Sequence, residues 1–414
     1  MAKRFTKDYI VSEQSIKSVL GTHVNTFMSA AADLGYAPST MRTQLQVLKN
    51  LIRWVQENDI VISNIDESIT DRFLSESGRK GAVRRGEHKT LHRFLDHLRR
   101  EGASPHPKPT LNDSPLAHLK NQYDDYLLKE RGLSTVTGSR YWPYIQRLLL
   151  ERFGDNTMRL HELCSQDIDL FLLLHAKEQT PKAAQLMVTA MRSFLRFLFR
   201  YGEIKRDLST AVPTIPAWRL SEVPKYIKPE EVESLLESCD RTTSVGCRNY
   251  AILLLIARLG LRAGEIVSLE LGDINWRASE LTIRGKGQFC DHLPLPQSVG
   301  EALAIYLKNY RPKRSTRRVF VRSKAPYRGF QNSSTVSTIV CRTVESSGIT
   351  APSKGAHLLR HSLATGMLRE GASMVEVGEL LRHRSPSSTE IYAKVDIEGL
   401  RSIARIWPEN GGVM

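Results

Sequence analysis

The sequence predicts a mainly α-helical chain with one small β-sheet in its last third. Three observations predict this: helix-spaced apolar residues in the first two thirds, two proline-rich breaks, and one glycine-centred pair of β-prone runs. A length of 414 residues leaves room for two or three domains with cores of their own.

The breaks set the expected pieces. "GASPHPKPTLNDSP", Gly102 to Pro115, has four prolines and little to bury, and "VPTIPAWRLSEVPKYIKPEE", Val212 to Glu231, has four more. They divide the chain into 1–104, 115–208 and 226–414, with Pro229 placed in the first turn of a helix. In the middle piece, Met187, Ala190, Met191, Phe194, Leu195 and Leu198 share one helical face, begun by Pro181 and closed by Gly202. An earlier helix puts Tyr144, Ile145, Leu148 and Leu149 inward and leaves Arg147, Glu151 and Arg152 outside.

The first piece repeats the middle one. "LHRFLDHLRREG" from Leu91 lies over "MRSFLRFLFRYG" from Met191 at an offset of 100, with Phe, Leu, Leu, Arg and Gly coinciding. Two helical bundles in tandem are therefore expected. The first adds basic residues Arg79, Lys80, Arg84, Arg85, Lys89, Arg93, Arg99 and Arg100, which suit either DNA or a solvated face. The third piece mixes helix and strand. "YAILLLIARLG" reads as a buried helix ended by Gly260, and "ELTIRGKGQFCDHLPLP" as a hairpin around Gly285-Lys286-Gly287. Helices return in "AHLLRHSLATGMLREG", "SMVEVGELLRH" and "SSTEIYAKV".

Composition narrows the class. With 59 Lys+Arg against 44 Asp+Glu the net charge is +15, which favours a polyanionic partner, although charge alone does not separate DNA, RNA and membrane surface. The longest apolar run, "AILLLIA", is far short of a membrane span, and the basic amino terminus leads into no secretory core. Five scattered cysteines without metal-ligand spacing point to a reducing, cytoplasmic compartment and to no metal site.

Six residues of the third piece stand out in order: Arg262 in "GLRAGEI", Lys286 in "RGKGQ", His357 and Arg360 in "HLLRH", then His383 and Tyr392 in "LRHRSPSSTEIY". Alone, each has an ordinary explanation. Arg262 could be a surface ion pair with Glu265, Lys286 an exposed turn lysine, and His357 with Arg360 a charged helix face. Together they are what breaking a phosphodiester without metal requires. Arginine offers permanent bidentate charge to the pentacoordinate transition state, lysine a proton for the leaving oxygen, and tyrosine a nucleophile whose ester keeps the bond energy.

The order and the motifs resemble the tyrosine recombinase (phage-type integrase) family, especially its Xer-like and mobile-element branches, over roughly residues 115–408. The family pattern is an Arg in a "GLRxxEI" turn, a hairpin Lys, an "HxLRH" box and "LGHxxxxTTxxY". The resemblance implies helical domains and a catalytic domain forming a C-shaped DNA clamp. Residues 115–208 would be the core-binding domain and 226–414 the catalytic one, with 1–104 an addition for further DNA or other subunits. It implies that Tyr392 attacks the phosphate to form a 3′-phosphotyrosine, Arg262 and Arg360 hold the nonbridging oxygens, and Lys286 protonates the 5′-hydroxyl. His357 would assist the Tyr392 proton and His383 would donate to the phosphate, while Glu265 braces the Arg262 turn and His361 supports. No cofactor and no metal are required.

The implied partners are double-stranded DNA and further copies of the chain, a tetramer on two DNA sites, with other recombinases as further candidates and no membrane. Arg382 replaces the pattern's glycine, and Ser388-Thr389 its Thr-Thr. The tail "DIEGLRSIARIWP" from Asp396 would dock on a neighbouring protomer or on its own domain. The run Arg311 to Arg328, with eight basic residues and no acidic one, would contact phosphates or form a solvated loop. The function expected is site-specific DNA integration or transposition for a mobile element. Dimer resolution, a type IB topoisomerase-like activity and a silent DNA-binding regulator are the alternatives.

Overall fold

The computed structural model describes residues 19–76, 85–105, 114–154, 158–215, 223–285, 290–313, 316–395 and 401. Contacts divide the chain into two compact units, Met1–Ser104 with Leu220–Met414, and Pro105–Arg219. Among the described residues no helix is long and apolar enough to cross a membrane.

The first unit begins with a helical bundle: α1 (Val19–Asp33), α2 (Pro38–Glu57), α3 (Glu67–Glu76) and α4 (Arg85–Arg100). Val24, Leu48, Leu51, Phe94, Leu95 and Leu98 close its core. Two of the basic residues noted in the sequence serve this fold. Arg99 is buried and ion-paired with Glu67 at 2.6 Å, and Arg93 lies 4.3 Å from the centre of the Tyr36 ring. Arg79, Lys80 and Arg84 lie outside the described residues.

The second unit is another bundle: α5 (Pro115–Asp125), α6 (Thr135–Phe153), α7 (Ser165–His175) and α8 (Pro181–Arg200). Proline at the first position of α8 follows Thr180, whose hydroxyl accepts the Ala183 N–H. The residues predicted to share its inner face, Met187 through Leu198, are all buried. The offset of 100 reappears in three dimensions. Phe94, Leu95 and Leu98 of α4 and Phe194, Leu195 and Leu198 of α8 are each at most 1% exposed. Both helices are followed by a left-handed glycine, Gly102 at φ +71° and Gly202 at +75°. On α6 the sequence reading missed Trp142, which is also buried.

The remainder of the first unit carries α9 (Pro229–Glu237), α10 (Ser244–Leu259), α11 (Ala263–Ser268), β1 (Ile274–Asn275), β2 (Glu280–Arg284), β3 (Cys290–Pro294), α12 (Gln297–Ile305), α13 (Ser334–Ser347), α14 (Ala356–Arg369) and α15 (Met374–Leu380). α10 is apolar all round, with every residue from Ala251 to Ala257 buried, and it packs against α12, α13 and α14. The sheet is antiparallel in the order β1-β2-β3, with Leu281 opposite Leu293. Leu281, Ile283 and Leu293 turn inward and join the core that α10 anchors. Two-residue β1 is too short for any alternation to betray it.

Two expectations need correction. "SSTEIYAKV" does not form an α-helix: Pro386–Ser388 and Glu390–Tyr392 are single 3-10 turns. The basic run from Arg311 is partly structural, since Arg311 donates to the Thr316, Arg318 and Val319 carbonyls and Arg318 pairs with Glu270 at 3.5 Å. The tail from Asp396 lies outside the described residues apart from Arg401.

Gly260 ends α10 at φ +59°, and a Cβ there would meet Leu381 Cδ2 at 2.6 Å. Gly264, in the first turn of α11, has nothing within 4 Å. Gly260→Ala should therefore destabilise the protein by about 2 kcal/mol or more in denaturant unfolding. Gly264→Ala should leave stability unchanged or raise it by up to about 1 kcal/mol. Equal effects would contradict this packing.

Candidate active site

Three pieces of backbone meet at the site: the turn from α10 into α11, the middle of α14, and the segment that follows α15. Arg262 is the N-cap of α11 and Glu265 its third residue, so the carboxylate turns back on the exposed N–H groups of the helix start. Glu265 Oε2 accepts the Arg262 backbone N–H at 2.8 Å, and Oε1 accepts Arg262 Nη1 at 2.8 Å. Burial works to raise the Glu265 pKa, yet the charges and hydrogen bonds of Arg382 and Arg262 hold it below the usual carboxylate range. It is an ionised brace.

The C-terminal ends of α10 and α15 come together here, and helix ends leave carbonyls without partners and carry negative partial charge. Guanidinium groups fill that gap. Arg360, buried on α14, donates to the Gly260 carbonyl and, at 2.6 Å, to the Leu381 carbonyl. Arg382 Nη1 donates to the Leu380 carbonyl at 3.0 Å, and Arg262 Nη2 to the Arg382 carbonyl at 3.2 Å. Burial and the neighbouring charges of Arg262 and Arg382 lower the Arg360 pKa to about 10, which still leaves it charged at neutral pH. Three consecutive carbonyls, Leu380 to Arg382, thus each take a different arginine.

Tyr392 is 1% exposed and packs with Ala364, Leu368, Val377 and Leu381. Its hydroxyl lies 2.7 Å from His361 Nδ1. Burial lifts the Tyr392 pKa to about 12, with Arg360 pulling the other way. Burial, His357 and Arg360 lower His361 to about 4. The phenol therefore keeps its proton and donates it to a neutral imidazole. The proton partner found is His361, where the resemblance implied His357.

His383 Nδ1 sits 2.8 Å from Thr389 Oγ1, and its ring runs within 9° of parallel to that of Tyr392. Burial, then Arg360, Arg262 and Arg382, lower its pKa to about 4. His357 faces solvent with its ring centre 6.2 Å from that of His361, and its pKa is lowered by desolvation and by Arg360 and Arg262. Arg262, Arg360, His383 and Tyr392 are therefore gathered around the two helix ends, with His357 at the edge. Lys286 lies outside the described residues. Sequence reasoning missed the bridging part of Arg382 and the His361 contact. The arginine in place of glycine was the available signal for the first, and adjacency to Arg360 the weak one for the second.

Among the described residues no group of three or more His, Cys, Asp or Glu side chains could hold a metal ion. A histidine depressed on folding stabilises the folded state fully above its unfolded pKa near 6.5, and that stability is lost as pH falls towards its folded pKa. His361 and His383 are both lowered to about 4. The unfolding free energy from denaturant titration should drop from pH 6.5 to 5, by less than about 1.4 kcal/mol per pH unit for each histidine. In the double variant His361→Gln, His383→Gln the slope should flatten; an unchanged slope would remove these two groups from the account.

Comparison with known proteins identifies the family. The phage integrase family matches residues 225–398. A putative integrase/recombinase, y4rA of Sinorhizobium fredii, is 39% identical over 388 residues, covering 93% of this chain and 94% of its own. Tyrosine recombinase XerC of Oceanobacillus iheyensis is 31% identical over 67% of this chain and 91% of its own. The fold is similar to the crystal structure of XerH site-specific recombinase bound to a palindromic difH substrate in a post-cleavage complex, with a TM-score of 0.54 and 20% identity. That match covers 70% of this chain and 84% of the XerH chain. The chain belongs to the phage integrase family, the tyrosine recombinases, enzymes that cut and rejoin DNA strands at specific sites.

Proposed function

We propose that Tyr392 is the nucleophile of this recombinase and that Arg262, Lys286, His357, Arg360 and His383 serve it. The observation that carries the reading is the position of Tyr392 beside a cluster of guanidinium groups, its hydroxyl held by a neutral histidine. Tyr392 Oη gives its proton to His357 and bonds to the scissile phosphorus as the bond from phosphorus to the 5′-oxygen breaks, giving a 3′-phosphotyrosine. The leaving oxygen takes its proton from Lys286. A 5′-hydroxyl from the exchanged strand then attacks the same phosphorus and releases Tyr392. The ester keeps the bond energy, so no outside energy source enters.

Arg262, with its side chain 40% exposed, is the guanidinium best placed to reach a nonbridging oxygen. Arg360 supports the same charge from within. A neutral His383 whose Nδ1 accepts from Thr389 has its other ring nitrogen protonated and free to donate to the phosphate. His361 accepts the hydrogen bond of the Tyr392 hydroxyl in the resting state. The phenol must leave its apolar seat before it can attack.

Double-stranded DNA is the substrate in this reading, which the excess of 59 Lys+Arg over 44 Asp+Glu supports. Exchange of both strands between two duplexes breaks four strands, and one tyrosine per chain then calls for a tetramer. Residues 115–208 serve as the core-binding domain and 226–414 as the catalytic one, and 1–104 take further DNA or a neighbour. Integration or transposition is favoured over dimer resolution because the match to the putative integrase/recombinase extends over the amino-terminal residues.

A nicked suicide duplex, selected by covalent capture from a randomised pool, should form a protein–DNA adduct with the wild-type chain. Tyr392→Phe should abolish the adduct while leaving binding intact, and an adduct that survives this change would sink the assignment. Arg262→Ala should slow cleavage by about 100- to 1,000-fold, the usual effect of losing one donor to a transition-state oxyanion.

A further inference from the structure

Arg382 stands where the family pattern has glycine, and the backbone there suits glycine: φ is +53°, in the left-handed region. An arginine kept in that conformation needs a reason in its side chain. The chain is buried at 7% exposure, and Nη2 lies 2.8 Å from Oε2 of Glu265, itself 8% exposed. Nη1 donates to the Leu380 carbonyl at 3.0 Å and reaches the Leu259 carbonyl at 3.4 Å. This is a fixed charge deep in the site. It does not reach out as Arg262 does.

Glu265 decides what that charge is for. Its carboxylate serves both the backbone N–H and the guanidinium of Arg262. With glycine at 382, the full negative charge of Glu265 would fall on Arg262, the arginine offered to the phosphate. With Arg382 present, the carboxylate is shared between two guanidinium groups. Arg262, Arg360, Arg382 and Glu265 together carry a net charge of +2, and with glycine at 382 it would be +1. At a centre where a phosphate gains negative charge, that difference acts on the transition state more than on the bound substrate.

We propose that Arg382 is a positioning residue for strand cleavage: it neutralises Glu265 and so leaves the Arg262 charge available to the scissile phosphate. The inference rests on the functional reading above. The Arg262 contact to residue 382 is to its backbone carbonyl, so replacing the side chain leaves that anchor in place. Glycine relaxes the left-handed backbone, which offsets part of the cost of leaving the Leu380 carbonyl and Glu265 without their Arg382 partner. Arg382→Met keeps most of the bulk without the charge.

The test measures single-turnover cleavage of the captured suicide duplex at saturating protein, with folding of each variant checked by thermal melting. Arg382→Gly and Arg382→Met should each cleave about tenfold or more slowly while binding uncleaved duplex as the wild type does. Arg382→Lys should keep most of the rate. The deciding variant is Glu265→Gln combined with Arg382→Gly or Arg382→Met, which restores the charge balance and should recover most of the lost rate. Cleavage at the wild-type rate by both single variants overturns the proposal. So does a double variant no faster than the single one, since a purely structural arginine would give additive damage. A wild-type chain that forms no adduct overturns the functional reading, and is told apart from failure of this proposal by that control alone.

Discussion

The site depends on one electrostatic arrangement: the carboxyl ends of two helices face each other, and arginine side chains fill the space between them. Neither helix end could be buried this way with its carbonyls unpaired, because each orphaned group costs about 1–3 kcal/mol. Arg360 ties the Gly260 carbonyl of α10 to the Leu381 carbonyl after α15, and Arg382 spans the same pair of ends. Arg262 and Glu265 close the network at the start of α11. The same cations that close the fold supply the field of the site, where they help hold His383 and His361 neutral. Structure and chemistry share one set of charges.

Tyr392 is placed by apolar packing and by one hydrogen bond, so two modest interactions hold it in reserve. Burying a side chain of this kind contributes about 1.5–3 kcal/mol and a neutral hydrogen bond about 0.5–1.5 kcal/mol. A hydrogen bond from a guanidinium to phosphate is worth about 1.5–3 kcal/mol. On the proposed chemistry, a few phosphate contacts are enough to offset the release of the phenol. The Tyr392 phenol is thereby kept protonated and enclosed. The resting position of Tyr392 and its reactivity are separate properties.

Much of this was legible in the sequence. The inner face of α8, the proline starts, the Gly260 stop and the β2–β3 hairpin all followed from spacing and turn chemistry, which are local. Arg262, Arg360, His383 and Tyr392, which the fold gathers, were singled out because their types and order suit phosphoryl transfer. What escaped was non-local. Nothing near Tyr392 announces that it is buried, because its apolar neighbours Ala364 and Leu368 come from a helix distant in sequence. His361 looked like a supporting residue, since the contact that distinguishes it from His357 depends on how the Tyr392 segment folds back. Arg382 was visible as an oddity, but only the left-handed backbone and the Glu265 pair give it a use.

The most direct test of the account is to find the atom that carries the DNA. Protein captured on the suicide duplex would be digested with nuclease and protease, and the nucleotide-bearing peptide sequenced by mass spectrometry. A nucleotide esterified to Tyr392 is expected, in a peptide spanning "SPSSTEIYAK". A nucleotide on any other residue, with Tyr392 unmodified, would contradict it.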